Sequence, residues 1–144
     1  MLGVGLIDTG AILALVDRDD HWHRPCLEVF RALRLPLLTS EAVLTEAFHL
    51  IGDTWKEHGA VWSLVRSGAV TLGSITDADL PALNLLMARY HDRPMDFADA
   101  TLVHLARRET LSTVFTLDHD DFETYRIDGR RRFRILPDRY ALTR

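Results

Sequence analysis

The chain has 144 residues, 47% apolar and 26% charged, a length and balance that fit one compact domain over residues 1–144 and exclude disordered, collagen-like and coiled-coil chains. A single cysteine, Cys26, excludes an internal disulfide and any Cys-x-x-Cys zinc or redox motif. No window approaches about 18 uninterrupted apolar residues, so neither a membrane span nor an export signal is expected and a cytoplasmic protein is the natural reading. The net charge of −4 argues against charge-driven coating of nucleic acid. It is unevenly spread: Arg126, Arg130, Arg131, Arg132, Arg134, Arg139 and Arg144 face only Asp128 and Asp138 near the end of the chain, a local +5.

Leu2 to Ile7 is apolar or glycine throughout, the pattern of a short strand buried on both faces, and Asp8-Thr9-Gly10 ends it. Ala11 to Val16 predicts a short helix, Asp17 to Arg24 a polar loop, and Pro25 to about Leu33 a helix with proline in its first turn. Leu35 to Leu38 reads as a second strand. Thr39 or Ser40 then caps a helix carrying Val43, Leu44, Ala47, Phe48 and Ile51 on one stripe and closed at Gly52. Trp55 to Val65 predicts another helix, Ala69 to Leu72 a third strand, and Asp77 to Tyr90 a helix by its apolar spacing. Pro94 precedes a strongly helical Met95 to Arg108. Thr113 to Leu117 is a buried strand delivering Asp118, and Phe133 to Leu136 is the last. Strands alternating with helices predict an α/β sandwich with a largely parallel sheet, because parallel neighbours need helical crossovers.

In such sheets ligands bind beyond the carboxyl ends of the strands, where Asp8 and Asp118 fall. Either acid alone also reads as a turn residue or helix cap. Asp99 has Leu102, Val103 and Ala106 at helical spacing, which places it on an apolar stripe. Glu46, with Val43 and Leu50, lies on a similar stripe or at its edge. A buried carboxylate must be paired, protonated or bound to a cation, and no lysine or histidine partner is evident. If these acids converge, an all-oxygen set suits Mg²⁺ or Mn²⁺ rather than zinc. His21-Trp22-His23 reads as a loop, since residues two apart share no helix face. Phe48, Trp55 and Trp62 read as core or as a dimer face.

The segments Gly5-Leu6-Ile7-Asp8-Thr9-Gly10-Ala11, Leu44-Thr45-Glu46-Ala47, Met95-Asp96-Phe97-Ala98-Asp99-Ala100 and Phe115-Thr116-Leu117-Asp118-His119-Asp120-Asp121-Phe122 together resemble the PIN-domain family of metal-dependent ribonucleases, in order across nearly the whole chain. The nearest likeness is to the toxin half of bacterial VapBC-type toxin–antitoxin pairs. The resemblance implies a PIN-like three-layer α/β/α sandwich around a five-stranded parallel sheet. It implies Asp8, Glu46, Asp99 and Asp118 as catalytic metal ligands for one or two Mg²⁺ or Mn²⁺ ions, with Asp96 and Asp121 as support and Thr9 and Thr116 orienting a ligand or water. It also implies an RNA substrate, a cognate antitoxin and a homodimer. Clustered carboxylates fit that chemistry, because the cations they hold polarise a phosphodiester and acidify bound water. Arg107, Arg108 and the Arg130, Arg131, Arg132 run are candidate phosphate contacts, although such a run also reads as a solvated turn.

Two other readings compete. A PIN-like fold also serves as a non-catalytic RNA-binding or scaffold module. Asp-Thr-Gly after an apolar strand is similar to the aspartic-protease triplet, whose two carboxylates share a proton, but those enzymes are nearly all β.

Overall fold

A computed structural model describes residues 4–142. Five strands of three residues form one sheet: β1 (Gly5–Ile7), β2 (Leu37–Thr39), β3 (Val70–Leu72), β4 (Thr113–Phe115) and β5 (Arg134–Leu136). Each pairing is parallel and the order is β3-β2-β1-β4-β5, with Leu6 opposite both Leu38 and Val114. Leu2 and Gly3, expected to begin the first strand, and Arg144 lie outside the described residues.

Between the strands run α1 (Thr9–Val16), α2 (His23–Ala32), α3 (Glu41–Ile51), α4 (Trp55–Arg66), α5 (Leu80–Arg89), α6 (Phe97–Arg108), α7 (His119–Thr124) and α8 (Arg139–Leu142). From β1 the chain steps to β2 and β3 in one direction, then returns across the sheet to β4 and β5. Right-handed crossovers therefore place α1 to α4 on one face and α5 to α7 on the other. This is the expected three-layer α/β/α sandwich. The reversal of winding falls between β1 and β4, which opens a crevice at their carboxyl ends.

Central positions are dry because both sheet faces are covered: Leu6, Ile7, Leu37, Val114 and Phe115 are fully buried, and Leu102, Leu105 and Ala106 of α6 pack into the same core. Gly5 marks how tightly β1 and β4 approach, since a Cβ there would lie 2.9 Å from the Thr113 carbonyl oxygen. Of the two cap candidates for α3, Ser40 is the cap: its hydroxyl accepts from Val43 N–H, while Thr39 ends β2 and donates to the Ile7 carbonyl at 2.8 Å.

Several boundaries differ from expectation. Helix α1 starts at Thr9 because Asp8 caps it. Helix α2 starts at His23, so that residue belongs to a helix rather than to the loop, and its Nδ1 lies 2.7 Å from the Ala14 carbonyl, tying α2 to α1. The Asp77 to Tyr90 segment divides into a 3₁₀ turn, Asp77–Asp79, and α5. The six-residue α7 has no counterpart in the sequence reading. The protease-like triplet sits between a parallel strand and a helix, not in an all-β frame. No helix among the described residues is long and apolar enough to cross a membrane.

Candidate metal centre

The short strands end just where polar residues begin, so their carboxyl ends present side chains rather than more core. Asp8 follows β1 and is held from two sides: its Oδ1 accepts from Thr9 N–H at 2.8 Å, and its Oδ2 accepts from the Thr116 hydroxyl at 2.9 Å. Thr116, the first residue past β4, also accepts from Asp118 N–H at 3.0 Å, so one buried hydroxyl fixes the acids of both strands. Thr9 differs. Its hydroxyl lies 3.5 Å from the Val43 carbonyl and ties α1 to α3 rather than touching an acid.

Asp96 caps α6 by accepting from Asp99 N–H at 2.7 Å. That cap sets the first turn of α6 so that Asp99 enters the crevice; it is only 8% exposed, as is Asp8. A hydrogen bond of 2.7 Å between the Ser40 and Thr101 hydroxyls ties the start of α3 to α6. Helix α3 brings Glu46 to the rim, half-buried, with Leu50 exposed one turn on; Glu46 thus lies at the edge of its apolar stripe. Asp118 caps α7, accepting from Asp121 N–H at 3.2 Å, and that short helix turns Asp121 back toward the cleft.

All six acids line one open cleft of about 490 Å³, together with Thr9 and Thr116. Single carboxylate oxygens of Asp99, Asp118 and Asp121 lie within 4.8 Å of one another. Burial pushes the Asp8 carboxyl up from 3.8 to about 6 against the pull of its two hydrogen bonds, with the charges of Glu46 and Asp96 adding to the rise. Asp99 rises to about 8, first from burial and then from Asp8 and Asp96. Asp118 rises to about 6 from desolvation and from Asp121 beside it. Burial is the first cause of each rise, and the neighbouring carboxylates add to it. Among the described residues the one guanidinium at this cluster is that of Arg93, 2.9 Å from Asp121 Oδ1.

Two neighbours were not foreseen. The buried Tyr125 hydroxyl donates to Asp99 Oδ2 at 2.9 Å, and burial together with Asp99 pushes its own pKa well up, so it stays a donor. Arg93 was the other. Tyr125 carries no local signal, because the contact spans 26 residues and depends on α7 turning the chain.

The five arginines considered for phosphate contact do not line this cleft. Arg107 and Arg108 lie eight and nine residues beyond Asp99 on α6, about 12 Å or more along its axis. Arg108 bonds the Ser74 carbonyl and Glu109, and lies 3.5 Å from Asp79. Arg130, Arg131 and Arg132 occupy an exposed turn before β5, where Arg131 pairs with Asp128. His104 bonds Asp79, and Cys26 is buried, its thiol pushed up to about 12.

A family model described as PIN domain matches residues 5–128. The chain is 29% identical over 134 residues to Ribonuclease VapC26 of Mycobacterium tuberculosis (strain ATCC 25618 / H37Rv), covering 92% of this chain and 99% of that protein. Its fold is similar to the crystal structure of VapC20 of Mycobacterium tuberculosis, described as a Sarcin-Ricin loop cleaving toxin. That match has a TM-score of 0.70 at 21% identity and covers 81% of this chain and 91% of the other. PAE2754 from Pyrobaculum aerophilum matches with a TM-score of 0.52 at 17% identity, covering 83% of this chain and 84% of the other.

Proposed function

The chain belongs to the PIN domain family, and from that premise we propose that it is a metal-dependent endoribonuclease that hydrolyses RNA phosphodiester bonds. The observation that carries the reading is the gathering of six carboxylates on one open cleft at the switch of winding, with Arg93 the one guanidinium against them among the described residues.

The donor set fits a hard divalent cation. It is all oxygen, and His119, which follows Asp118, is buried and does not line the cleft. Asp8, Glu46, Asp99 and Asp118 would hold Mg²⁺ or Mn²⁺, one or two ions, with Asp96 and Asp121 in support. When bound, such an ion supplies Lewis-acid polarisation of the phosphodiester and lowers the pKa of water beside it. The residues' own task is orientation. Thr116 aligns Asp8 and the backbone of Asp118, Asp96 aligns Asp99, and Tyr125 favours ionised Asp99 by donating to it. The carboxylates also repel a bare RNA strand, so substrate affinity follows metal loading.

The likeness to Ribonuclease VapC26 supports a toxin role under an antitoxin's control and a cytoplasmic setting. A homodimer is part of the same reading, supported by the exposed rings of Trp55 and Trp62 on α4. Arg107, Arg108 and Arg130 to Arg132 remain proposed for RNA held away from the cleft.

Calorimetric titration of Mn²⁺ into the wild-type protein, Asp8→Asn and Asp99→Asn tests the centre. Saturable binding is expected in the wild type only, with all three folded by circular dichroism, and metal-dependent RNA cleavage should vanish in both variants. A wild-type protein that binds no Mn²⁺ with or without RNA would favour the scaffold reading.

A further inference from the structure

We infer that the groove beside the acids is a nucleobase subsite, in which a base of the RNA strand stacks on Phe97 and presents an amino group to Glu41. The inference rests on the ribonuclease reading and adds what lies next along the strand.

The groove measures about 720 Å³, runs between α3 and the start of α6, and shares Glu46 and Asp96 with the acidic cleft. A strand with its phosphate at the acids therefore has a neighbouring nucleotide over this groove. The lining decides which part of that nucleotide enters. Glu41, Glu46 and Asp96 line it and, among the described residues, no lysine or arginine does, so a phosphate is repelled and the base is the part that fits. Phe97, directly after Asp96, leaves 45% of its surface exposed, and Ile75 is a second apolar wall. Bases of single-stranded RNA stack on aromatic rings placed in this way.

The polar atoms add a preference. The Thr45 hydroxyl is spent on the Glu41 carbonyl at 2.9 Å, and the Thr101 hydroxyl on the Ala98 carbonyl at 2.6 Å and on Ser40. Among the described residues no hydrogen bond or ion pair engages the Glu41 carboxylate, which only accepts. His49 lies two turns along α3, about 12 Å away, too far to share one base edge with Glu41. A base facing Glu41 must therefore donate. The N4 amino group of cytosine does so with either of its two N–H groups, whereas uracil offers a single N3–H flanked by O2 and O4, two acceptors that the carboxylate repels.

The test is fluorescence anisotropy with labelled octacytidylate and octauridylate at saturating Mn²⁺, RNA integrity being followed on gels, alongside Mn²⁺ calorimetry of every variant. The wild type is expected to bind octacytidylate more tightly than octauridylate. Phe97→Ala should weaken both about tenfold or more, Phe97→Tyr should restore them, and Glu41→Gln should bring the two affinities together, all with Mn²⁺ binding unchanged. Wild-type RNA affinity and preference in both Phe97→Ala and Glu41→Gln would overturn the subsite, leaving the groove to a protein segment while the ribonuclease reading stands. Mn²⁺ binding without affinity for either RNA would overturn both readings. Base preference lost in the variants of a protein that binds no Mn²⁺ would uphold the subsite and overturn the metal centre.

Discussion

Asp99 is the side chain on which the most forces converge. Burial and the charges of Asp8 and Asp96 push it to about 8, while the Tyr125 hydroxyl works the other way by donating to its Oδ2. Removing that donor in Tyr125→Phe raises the carboxyl further, so at pH 7 an incoming cation must displace a proton more often. Mn²⁺ affinity is expected to fall about tenfold, the usual scale for a lost partner of a metal ligand. The loss should shrink at pH 9, where a larger share of Asp99 is ionised in both proteins than at pH 7; calorimetry at the two pH values reads this. An affinity unchanged at pH 7 would mean that the Tyr125 hydroxyl does not tune Asp99 toward the cation. Thr116→Val is a second probe of the same kind. It deletes the donor to Asp8 Oδ2 and orphans Asp118 N–H, so weaker Mn²⁺ binding is expected with the fold retained.

At the scale of elements, the close pairing of β1 and β4 is what brings Asp8 beside Asp118. A Cβ at Gly5 meets a backbone carbonyl, which cannot swing aside as a side chain would. Gly5→Ala is therefore expected to cost about 1 to 3 kcal/mol, read by urea denaturation, and to weaken Mn²⁺ binding by spreading the two strands; wild-type stability would mean that the strands separate freely. The order of strands and helices was legible because parallel strands buried on both faces leave continuous apolar runs, as in Gly5–Ile7 and Thr113–Phe115. Asp8, Asp99 and Asp118 were legible because each is an acid where only apolar residues or a turn would be expected. What stayed hidden depends on tertiary geometry. Helix α7 is six residues long, too short for apolar periodicity to register. Without it neither the return of Asp121 to the cleft nor the reach of Tyr125 to Asp99 can be drawn. Arg93 was hidden for the same reason: it is placed by the segment between α5 and α6 and meets the acids only in the fold, whereas the count of arginines in the sequence speaks of charge alone.

For the molecule as a whole, the acidic cleft is a liability to stability without a cation. Asp8 and Asp118 at about 6 and Asp99 at about 8 all stand above their ordinary 3.8, so between about pH 4 and pH 8 the folded chain holds protons that the unfolded chain has released. Stability therefore falls as pH rises through that window. The shift of the buried Asp8 alone corresponds to about 3 kcal/mol. Asp79 has the opposite sign, its carboxyl held down at about 2 by Thr76 and His104, but it acts below about pH 4 and leaves the window to the cleft. With a chelator present, the melting temperature is expected to be several degrees lower at pH 8 than at pH 5. Excess Mn²⁺ should reverse the difference, since a ligand at about 100 times its Kd adds about 2.7 kcal/mol and competes best where protons have left. Asp99→Asn removes the repulsion and the ligand together. It should therefore melt higher than the wild type at pH 8 in chelator and gain little from Mn²⁺, an inversion that simple damage to packing would not produce. A variant that melts below the wild type in chelator and still responds to Mn²⁺ would show that Asp99 serves the core rather than the cation.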